Sequence, residues 1–195
     1  SSAFIKFMHA DSWALKAKKL GLRSRAVFKL EEILTKTKTL KENSLVLDIG
    51  SAPGGWSELI KLMTPTSNVY AIDLLPMDPI KDVMFFQEDI VNIDKIDEIS
   101  SLKSKFNLVI SDLAPNLTGI RAVDEENIFE LNIITLGTAI NYLSMSNGSF
   151  IIKTFQNSLL KKLRTEMEKS FHLVQTYKPA ASKSKSGEIY LYGER

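Results

Sequence analysis

The spacing of apolar residues predicts a chain in which strands and helices alternate. Short apolar runs bounded by polar or turn residues are typical of buried strands, whereas apolar residues three or four positions apart predict helices. The predicted strands are Leu45–Ile49, Asn68–Ile72, Met84–Gln87, Phe106–Ser111, Ser149–Phe155, Leu173–Tyr177 and Ile189–Tyr192. The predicted helices are Leu15–Lys19, Ser24–Leu34, Ser57–Met63, Ile93–Leu102, Glu125–Ser144 and Leu159–Ser170.

This alternation predicts an α/β fold with a mostly parallel sheet and helices on both faces. Only a short segment, Ser182–Gly187, separates the last two strands, so we expect the final strand to run antiparallel at the C-terminal edge of the sheet. Seven strands with the last one reversed resemble the Rossmann-like layout of S-adenosylmethionine-dependent methyltransferases, and the resemblance implies that fold. Ligands of such sheets bind beyond the carboxyl ends of the strands.

The chain shows no repeat, low-complexity tract or linker, so residues 1–195 are expected to form a single domain. Within it, residues 1–43 form a basic helical N-terminal extension. No apolar run approaches the roughly 18 residues of a membrane span. We expect a monomer that does not bind a membrane. The location inside the cell stays open between the cytoplasm and an organelle such as the mitochondrion. The absence of cysteine and the presence of only two histidines, His9 and His172, argue against a zinc site.

The net charge of +2 conceals three segments of different sign. Residues 1–43 carry a net charge of +6, residues 44–152 carry −9 and residues 153–195 carry +5. An acidic middle between two basic ends indicates two ligands of opposite charge, although solvated helix faces could produce the same pattern.

A glycine-rich turn follows the first predicted strand, in the segment Asp48–Trp56. Gly50, Gly54 and Gly55 would allow a sharp turn and the close approach of a ligand. The turn lacks the G-x-G-x-x-G pattern of dinucleotide-binding folds, and Pro53 has no N–H to offer a phosphate. A cofactor without a phosphate, such as S-adenosylmethionine, therefore fits better than a dinucleotide, although a purely structural turn could need the same glycines.

Two carboxylates follow the next two strands. Asp73 could accept hydrogen bonds from both hydroxyls of an adenosine ribose, and Asp89 could accept one from the adenine amine. Acidic residues are common at strand ends, but their placement after successive strands favours a nucleoside site. The acidic middle segment also suits a cationic sulfonium. The full set of predicted cofactor-binding residues is Gly50, Ser51, Pro53, Gly54, Gly55, Trp56, Asp73, Leu74, Asp89, Ile90 and Asp112.

Four further charged residues, Lys29, Asp112, Lys153 and Glu188, occupy positions where chemistry could occur. Lys153 lies within an apolar strand, where an unpaired charge would be costly. A lysine that has lost its proton can act as a general base, but a lysine at a strand tip could instead extend to solvent. Lys29 and Glu188 could be solvated surface residues, and Asp112 could cap a turn.

These four residues resemble the K-D-K-E tetrad of the FtsJ/RrmJ family of RNA 2′-O-methyltransferases. The segment Leu74–Pro79 most resembles the branch that modifies a uridine of large-subunit ribosomal RNA. Together the similar motifs cover nearly the whole chain, from about Lys16 onward. The motifs that carry the resemblance are Gly21–Ala26 with Phe28–Leu30, Pro53–Ser57, Asp73–Pro79, Ser111–Asn116 and Lys153–Gln156.

The resemblance implies methyl transfer from S-adenosylmethionine to a ribose 2′-hydroxyl by in-line displacement, with S-adenosylhomocysteine as the product. It implies that Lys153 is the base, that Asp112 lies near both the cofactor and this lysine, and that Lys29 and Glu188 complete the tetrad. No metal is expected, because the sulfonium already activates the methyl group. The expected partner is large-subunit ribosomal RNA or an assembling ribosomal subunit, with phosphates bound by Lys16, Lys18, Lys19, Arg23, Arg25, Lys41, Lys178, Lys183 and Lys185.

Three alternatives remain open at this stage. The same tetrad serves 2′-O-methyltransferases of transfer RNA and of mRNA caps, although no aromatic pocket for a capped guanine is evident. A non-catalytic RNA-binding or ribosome-assembly protein could keep the fold, but it would be expected to lose the tetrad. A dinucleotide-binding fold is disfavoured by Pro53 and by the missing glycine pattern.

Overall fold

A computed structural model describes residues 12–195. The first eleven residues of the predicted N-terminal extension, His9 included, lie outside the described residues. The helices are α1 (Ser12–Lys19), α2 (Val27–Thr37), α3 (Gly55–Met63), α4 (Asp97–Ser100), α5 (Arg121–Tyr142) and α6 (Leu160–Glu168), and a 3-10 helix (Ile90–Lys95) precedes α4. The strands are β1 (Leu45–Ile49), β2 (Asn68–Asp73), β3 (Val83–Gln87), β4 (Leu108–Ser111), β5 (Ser149–Phe155), β6 (Leu173–Tyr177) and β7 (Glu188–Glu194).

Within residues 12–195, seven strands form one sheet in the order β3-β2-β1-β4-β5-β7-β6. Strands β1 to β5 pair in parallel, and β7 pairs antiparallel with both β5 and β6. The predicted mostly parallel sheet with one reversed strand is therefore confirmed. The predicted edge position of that strand is wrong. The crossover from β5 through α6 to β6 skips one strand position, and β7 fills the gap between them.

Side chains of the strands alternate between two apolar cores. The first core lies between the sheet and helices α2 and α3, and the second lies between the sheet and helices α5 and α6. Val46 of β1 and Ile151 of β5 belong to the first core. Because alternate residues of a strand share a face, Asp48 and Lys153 also lie on the face covered by α2 and α3.

The predicted helix Ile93–Leu102 is interrupted at Ile96, whose backbone is extended at φ −91° and ψ 100°. The 3-10 helix on its N-terminal side begins earlier than the apolar spacing indicates, because the side chain of Asp89 accepts a hydrogen bond from Val91 N–H and caps it. Apolar spacing cannot reveal such a local side-chain cap. None of the helices in the described part of the chain combines the length and the apolar character needed to cross a bilayer.

Candidate active site

The glycine-rich turn between β1 and α3 is held close to β2. The Gly50 N–H donates to Ile72 O over 2.8 Å. Gly50 and Gly54 have φ angles of 76° and 112°, which residues with a side chain rarely adopt. A Cβ atom at Gly54 would also lie 2.9 Å from Ile80 Cδ1. The backbone conformation therefore favours glycine at position 54, whereas the nearby end of the Ile80 side chain could shift to make room for a Cβ atom.

Asp73, at the end of β2, fixes the same turn. Its Oδ2 accepts a hydrogen bond from Ala52 N–H over 2.9 Å, and its Oδ1 accepts one from Leu75 N–H over 2.8 Å. Each carboxylate oxygen has a second lone pair, so Asp73 can still accept from ribose hydroxyls. The next residue, Leu74, is exposed and offers an apolar surface beside it.

Asp89 and Ile90 follow β3, which lies two strands from β1. Asp89 Oδ1 accepts a hydrogen bond from Val91 N–H over 3.1 Å, and Ile90 is the first residue of the 3-10 helix. Because the carboxyl ends of parallel strands share one edge of the sheet, Asp89 lies at the same edge as Asp73. The hydrogen bond from Val91 N–H fixes its carboxylate there.

A small cavity of about 20 Å³ lies beside the glycine turn. A larger cavity of about 430 Å³ lies near Ser44, Asn107 and Ser149, where β1, β4 and β5 begin. None of the predicted catalytic or cofactor-binding residues lines it, although Lys41, which was expected to bind RNA, does. We place the site at the smaller cavity because the predicted residues converge there, at the carboxyl ends of the strands. The smaller cavity is lined by Ser24, Ala26, Asp48, Gly50, Ser51, Ala52, Pro53, Gly55, Trp56 and Asp112.

Asp48 is a buried carboxylate that sequence analysis did not select. It is 1% exposed, and Ser57 Oγ donates to its Oδ2 over 2.7 Å. Its Oδ1 is buried and has no hydrogen-bond partner among residues 12–195. Burial raises the pKa of Asp48 to about 7, and the neighbouring charges of Asp112 and Asp73 add to this effect. An unpartnered oxygen beside a cavity suits a ligand that carries a positive charge or a donor.

The four predicted reactive residues converge in one cluster. Lys153 Nζ lies 3.4 Å from Asp112 Oδ1, and Lys29 Nζ lies 2.6 Å from Glu188 Oε1. The two lysine side chains are only 12% and 13% exposed. Lysines can lie this deep because each contacts a carboxylate. The parallel pairing of β4 with β5 brings Asp112 and Lys153 together.

Tyr190 joins the two ion pairs, although sequence analysis did not select it. Its hydroxyl lies 3.1 Å from Asp112 Oδ1 and 3.3 Å from Glu188 Oε1. Because a hydroxyl has one proton, it can donate to only one of these carboxylates at a time. Tyr190 lies directly opposite Lys153 in the β5–β7 register. That cross-strand register was the signal that could have identified it.

Burial and charge move the pKa values of the two carboxylates in opposite directions. Burial raises the pKa of Asp112 and outweighs the attraction of Lys153. In Glu188, burial acts the same way, but the hydrogen bond and charge of Lys29 prevail and lower its pKa. Burial and both carboxylates raise the pKa of Tyr190, so its hydroxyl remains a donor.

Helix α5 fixes the strand at the carbonyl of Lys153 and at the next residue, Thr154. Asn132 Nδ2 donates to Lys153 O over 3.2 Å, and Thr154 Oγ1 donates to Asn132 Oδ1 over 2.8 Å. Asn132 is 2% exposed, so these bonds are shielded from water. Asn132 could not be predicted as a site residue, because one polar residue in a helix of 22 residues gives no signal of its partner.

Three basic residues that were expected to bind RNA make contacts inside the protein. Arg23 donates to backbone carbonyls at positions 53, 78 and 79. Arg25 donates to Ala181 O, and Lys178 donates to the carbonyls of Ser186 and Glu188. These contacts tie the segment before α2 and the loop before β7 to the active-site edge of the sheet. Sequence position alone could not show them.

The geometry joins two functions at one edge of the sheet. The glycine turn and the carboxylates of Asp48 and Asp112 line a small cavity. The amine of Lys153, which contacts Asp112, lies next to it. The first part can hold a cationic, hydroxyl-bearing cofactor, and the second can take a proton from a hydroxyl. Within residues 12–195, no group of three or more His, Cys, Asp or Glu side chains is arranged to hold a metal ion.

Comparison with known proteins agrees with this geometry. "Ribosomal RNA large subunit methyltransferase E" of Buchnera aphidicola subsp. Cinara cedri is 38% identical over 194 residues, which covers 98% of this chain and 92% of the relative. The protein of the same name from Neisseria gonorrhoeae is 39% identical and covers 94% of this chain and 90% of its own length.

Two solved structures support the fold. A protein from Plasmodium falciparum described as a ribosomal RNA methyltransferase has a TM-score of 0.79 and 34% identity, and covers 89% of this chain and 97% of its own. Human methyltransferase-like protein 13 has a TM-score of 0.60 at 12% identity, and covers 85% and 81% of the two chains. The second likeness concerns the fold alone.

The sheet order and the glycine turn therefore define a Rossmann-like methyltransferase, as the sequence predicted. The sequence profile of the FtsJ-like methyltransferases matches residues 22–195. This chain belongs to the FtsJ-like methyltransferase family, and the predicted family and enzyme class are confirmed.

Proposed function

We propose that this chain transfers a methyl group from S-adenosylmethionine to a ribose 2′-hydroxyl of large-subunit ribosomal RNA. The observation that carries the proposal is the pair of Lys153 and Asp112, 3.4 Å apart, with Asp112 also lining the cavity at the glycine turn. The name shared by the relatives, ribosomal RNA large subunit methyltransferase E, supports the choice of RNA.

The residues around the turn fit S-adenosylmethionine in charge and in hydrogen-bonding capacity. Asp73 can accept from the ribose hydroxyls, and Asp89 can accept from the adenine amine. The unpartnered Oδ1 of Asp48 can accept from the cofactor's ammonium group. Three carboxylates, those of Asp48, Asp73 and Asp112, favour a ligand with positive charge on sulfur and nitrogen. Leu74 provides an apolar surface for the base.

The proposed mechanism depends on removal of one proton. When bound, S-adenosylmethionine supplies a methyl group on a positively charged sulfur, which an oxygen nucleophile can take in line with the departing thioether. A ribose hydroxyl is a weak acid, so the neutral amine of Lys153 accepts its proton as the oxygen attacks and becomes an ammonium ion beside the Asp112 carboxylate. Asp112 orients this amine, and Tyr190 in turn holds Asp112. Lys29, paired with Glu188, provides a positive charge near the ribose oxygen or an adjacent phosphate.

RNA phosphates are proposed to contact the exposed lysines at the active-site edge. Lys18 and Lys19 end helix α1, and Lys183 and Lys185 lie in the loop before β7; all four are exposed. When these lysines bind phosphates, counterions are released from the RNA, and the resulting gain in affinity does not depend on base sequence. We expect RNA affinity to fall steeply between low and high salt while cofactor affinity changes little. An equal loss of RNA affinity and cofactor affinity at high salt would contradict the assignment of these lysines to RNA binding.

The experiment that tests the proposed function is methyl transfer from labelled S-adenosylmethionine to four RNAs. Intact large subunits, free ribosomal RNA, transfer RNA and capped RNA are compared in parallel, and modified positions are mapped by resistance to alkaline cleavage. We expect transfer to ribosomal RNA or subunits. K153A and K153R are expected to lose about 10²- to 10⁴-fold in rate, because arginine keeps its proton. K161A is the matched control, since Lys161 is exposed on α6.

Each other outcome selects a different function. Transfer only to transfer RNA or to a cap would exclude the ribosomal target. Cofactor binding without transfer to any of the four RNAs would favour a non-catalytic assembly protein. Full activity in K153R would show that Lys153 is not the proton acceptor.

A further inference from the structure

Arg23 lies in the turn between α1 and α2 and joins three segments around the glycine turn. Its Nη1 donates to Pro53 O over 3.2 Å and to Asp78 O over 2.7 Å. Its Nη2 donates to Pro79 O over 2.9 Å, and its Nε lies 3.4 Å from Glu58 Oε2. The guanidinium therefore connects the glycine turn, the loop after β2 and the first turn of α3.

These contacts engage nearly all of the guanidinium. Arginine has five N–H donors in a fixed plane, and the three carbonyls and one carboxylate engage four of them. The side chain is 22% exposed. Only one donor remains for an RNA phosphate. The contacts of Arg23 therefore differ from the RNA-binding role that its place in the basic N-terminal segment indicated.

Two of the three segments that Arg23 joins carry residues assigned to the proposed cofactor site or lie next to them. Pro53 lines the small cavity, whereas Asp78 and Pro79 belong to the loop that follows the ribose ligand Asp73. A Cβ atom at Gly54 would lie 3.2 Å from Arg23 Nη1, so the guanidinium lies directly against the turn. Fixing both segments before a ligand arrives lowers the ordering cost of binding.

We propose that Arg23 is a positioning residue for S-adenosylmethionine. It holds the glycine turn and the loop at positions 74–80 in the arrangement that binds the cofactor. This inference rests on the proposed function, because it requires the cofactor to lie between these segments. Lysine cannot replace Arg23, since a single ammonium group does not present several donors in one plane.

The test measures cofactor and RNA separately in R23K and R23A. We expect the Kd for S-adenosylhomocysteine, measured by calorimetry, to rise about tenfold or more in R23K and further in R23A, since charge-assisted hydrogen bonds are lost. The kcat at saturating S-adenosylmethionine should stay within about threefold of wild type, so the effect appears in KM. The salt dependence of RNA binding should be unchanged.

Two control variants sharpen the interpretation. Arg164 on α6 also donates to a backbone carbonyl, that of Val174, but it lies far along the sheet, so R164K should leave the Kd for S-adenosylhomocysteine unchanged. K18A should weaken RNA binding and reduce its salt slope by about one, without affecting the cofactor. Near-ultraviolet circular dichroism of R23K establishes that the variant is folded.

Three results would overturn the inference. Wild-type cofactor affinity in R23K would show that the clamp is dispensable. A reduced salt slope in R23K would assign Arg23 to RNA. An equal loss of affinity in R164K would indicate a general effect of arginine replacement. If the wild-type protein bound neither S-adenosylmethionine nor S-adenosylhomocysteine, the proposed function itself would fail, which is a separate outcome.

Discussion

Replacing Asp48 with asparagine should stabilise the ligand-free protein at pH 8, and this gain should shrink as the pH falls. Burial raises the pKa of Asp48 to about 7, whereas the pKa of an aspartate in an unfolded chain is about 3.9. Between these values the folded protein keeps a proton that the unfolded chain releases. The free energy of unfolding therefore falls as the pH rises through this interval, and the asparagine of the variant has no proton to lose.

The size of the effect follows from the difference between the two pKa values. A difference of about 3 units corresponds to roughly 4 kcal/mol, because one unit is worth about 1.4 kcal/mol. Part of this loss occurs below pH 5, so about 2 to 3 kcal/mol remains between pH 5 and pH 8. Asparagine has nearly the shape of a protonated aspartate, and its carbonyl oxygen can still accept from Ser57 Oγ.

Urea denaturation of D48N and wild type at pH 5, 6, 7 and 8 measures this difference directly. The contributions of distant titrating groups cancel when the two proteins are compared at each pH, so the difference reports Asp48 together with its charged neighbours Asp112 and Asp73. D97N is the matched control, because Asp97 is an exposed residue of α4. The variant S57A removes a hydrogen bond that lowers the pKa of Asp48, so its stability should keep falling to a higher pH than that of wild type.

A difference between D48N and wild type that stays constant from pH 5 to pH 8 would refute the reasoning. It would mean that Asp48 is ionised in the folded protein throughout this range. A D48N variant that is less stable than wild type at pH 8 would lead to the same conclusion, because the buried charge would then be stabilised by its surroundings.

Three further predictions concern ligand binding and turnover. Wild type should bind S-adenosylmethionine more tightly as the pH rises through about 7, because ionised Asp48 attracts the cation. Calorimetry of D48N should show an affinity that does not change over the same pH range, and a parallel rise in both proteins would contradict this. G54A should bind S-adenosylhomocysteine about tenfold more weakly, since its backbone at φ 112° would be strained, and unchanged affinity would count against the proposed turn. Y190F should reduce the single-turnover rate about tenfold through loss of the hydroxyl that joins the carboxylates, whereas an unchanged rate would make this contact incidental.

The sequence predicted those elements that follow from local patterns. The bounds of β1, β5 and β6 agree with the predicted strands because each is an apolar run that ends at turn residues. The glycine turn and the carboxylate after β2 were identifiable because their chemistry is local. The placement of β7 was not, because it depends on the crossover from β5 to β6, which leaves a gap of one strand position between them.

The residues that were missed act through contacts between distant parts of the chain. Tyr190 appears as one more apolar residue of a strand until its register opposite Lys153 is known. Arg23 appears as one more basic residue until its carbonyl partners are known. Asp48 could have been found, because the argument that singled out Lys153, a charged residue inside an apolar strand, applies to it equally.

The insertion of β7 between β5 and β6 also constrains the order in which the protein can form during synthesis. Residues 173–177 leave the ribosome before residues 188–194, yet they have no strand beside them in the sheet until the later segment arrives. Because this late segment carries Glu188 and Tyr190, a nascent chain that stops before it contains the glycine turn and Lys153 but only part of the catalytic cluster. A chain without this segment therefore lacks both the strand that joins β6 to the sheet and two residues of the catalytic cluster.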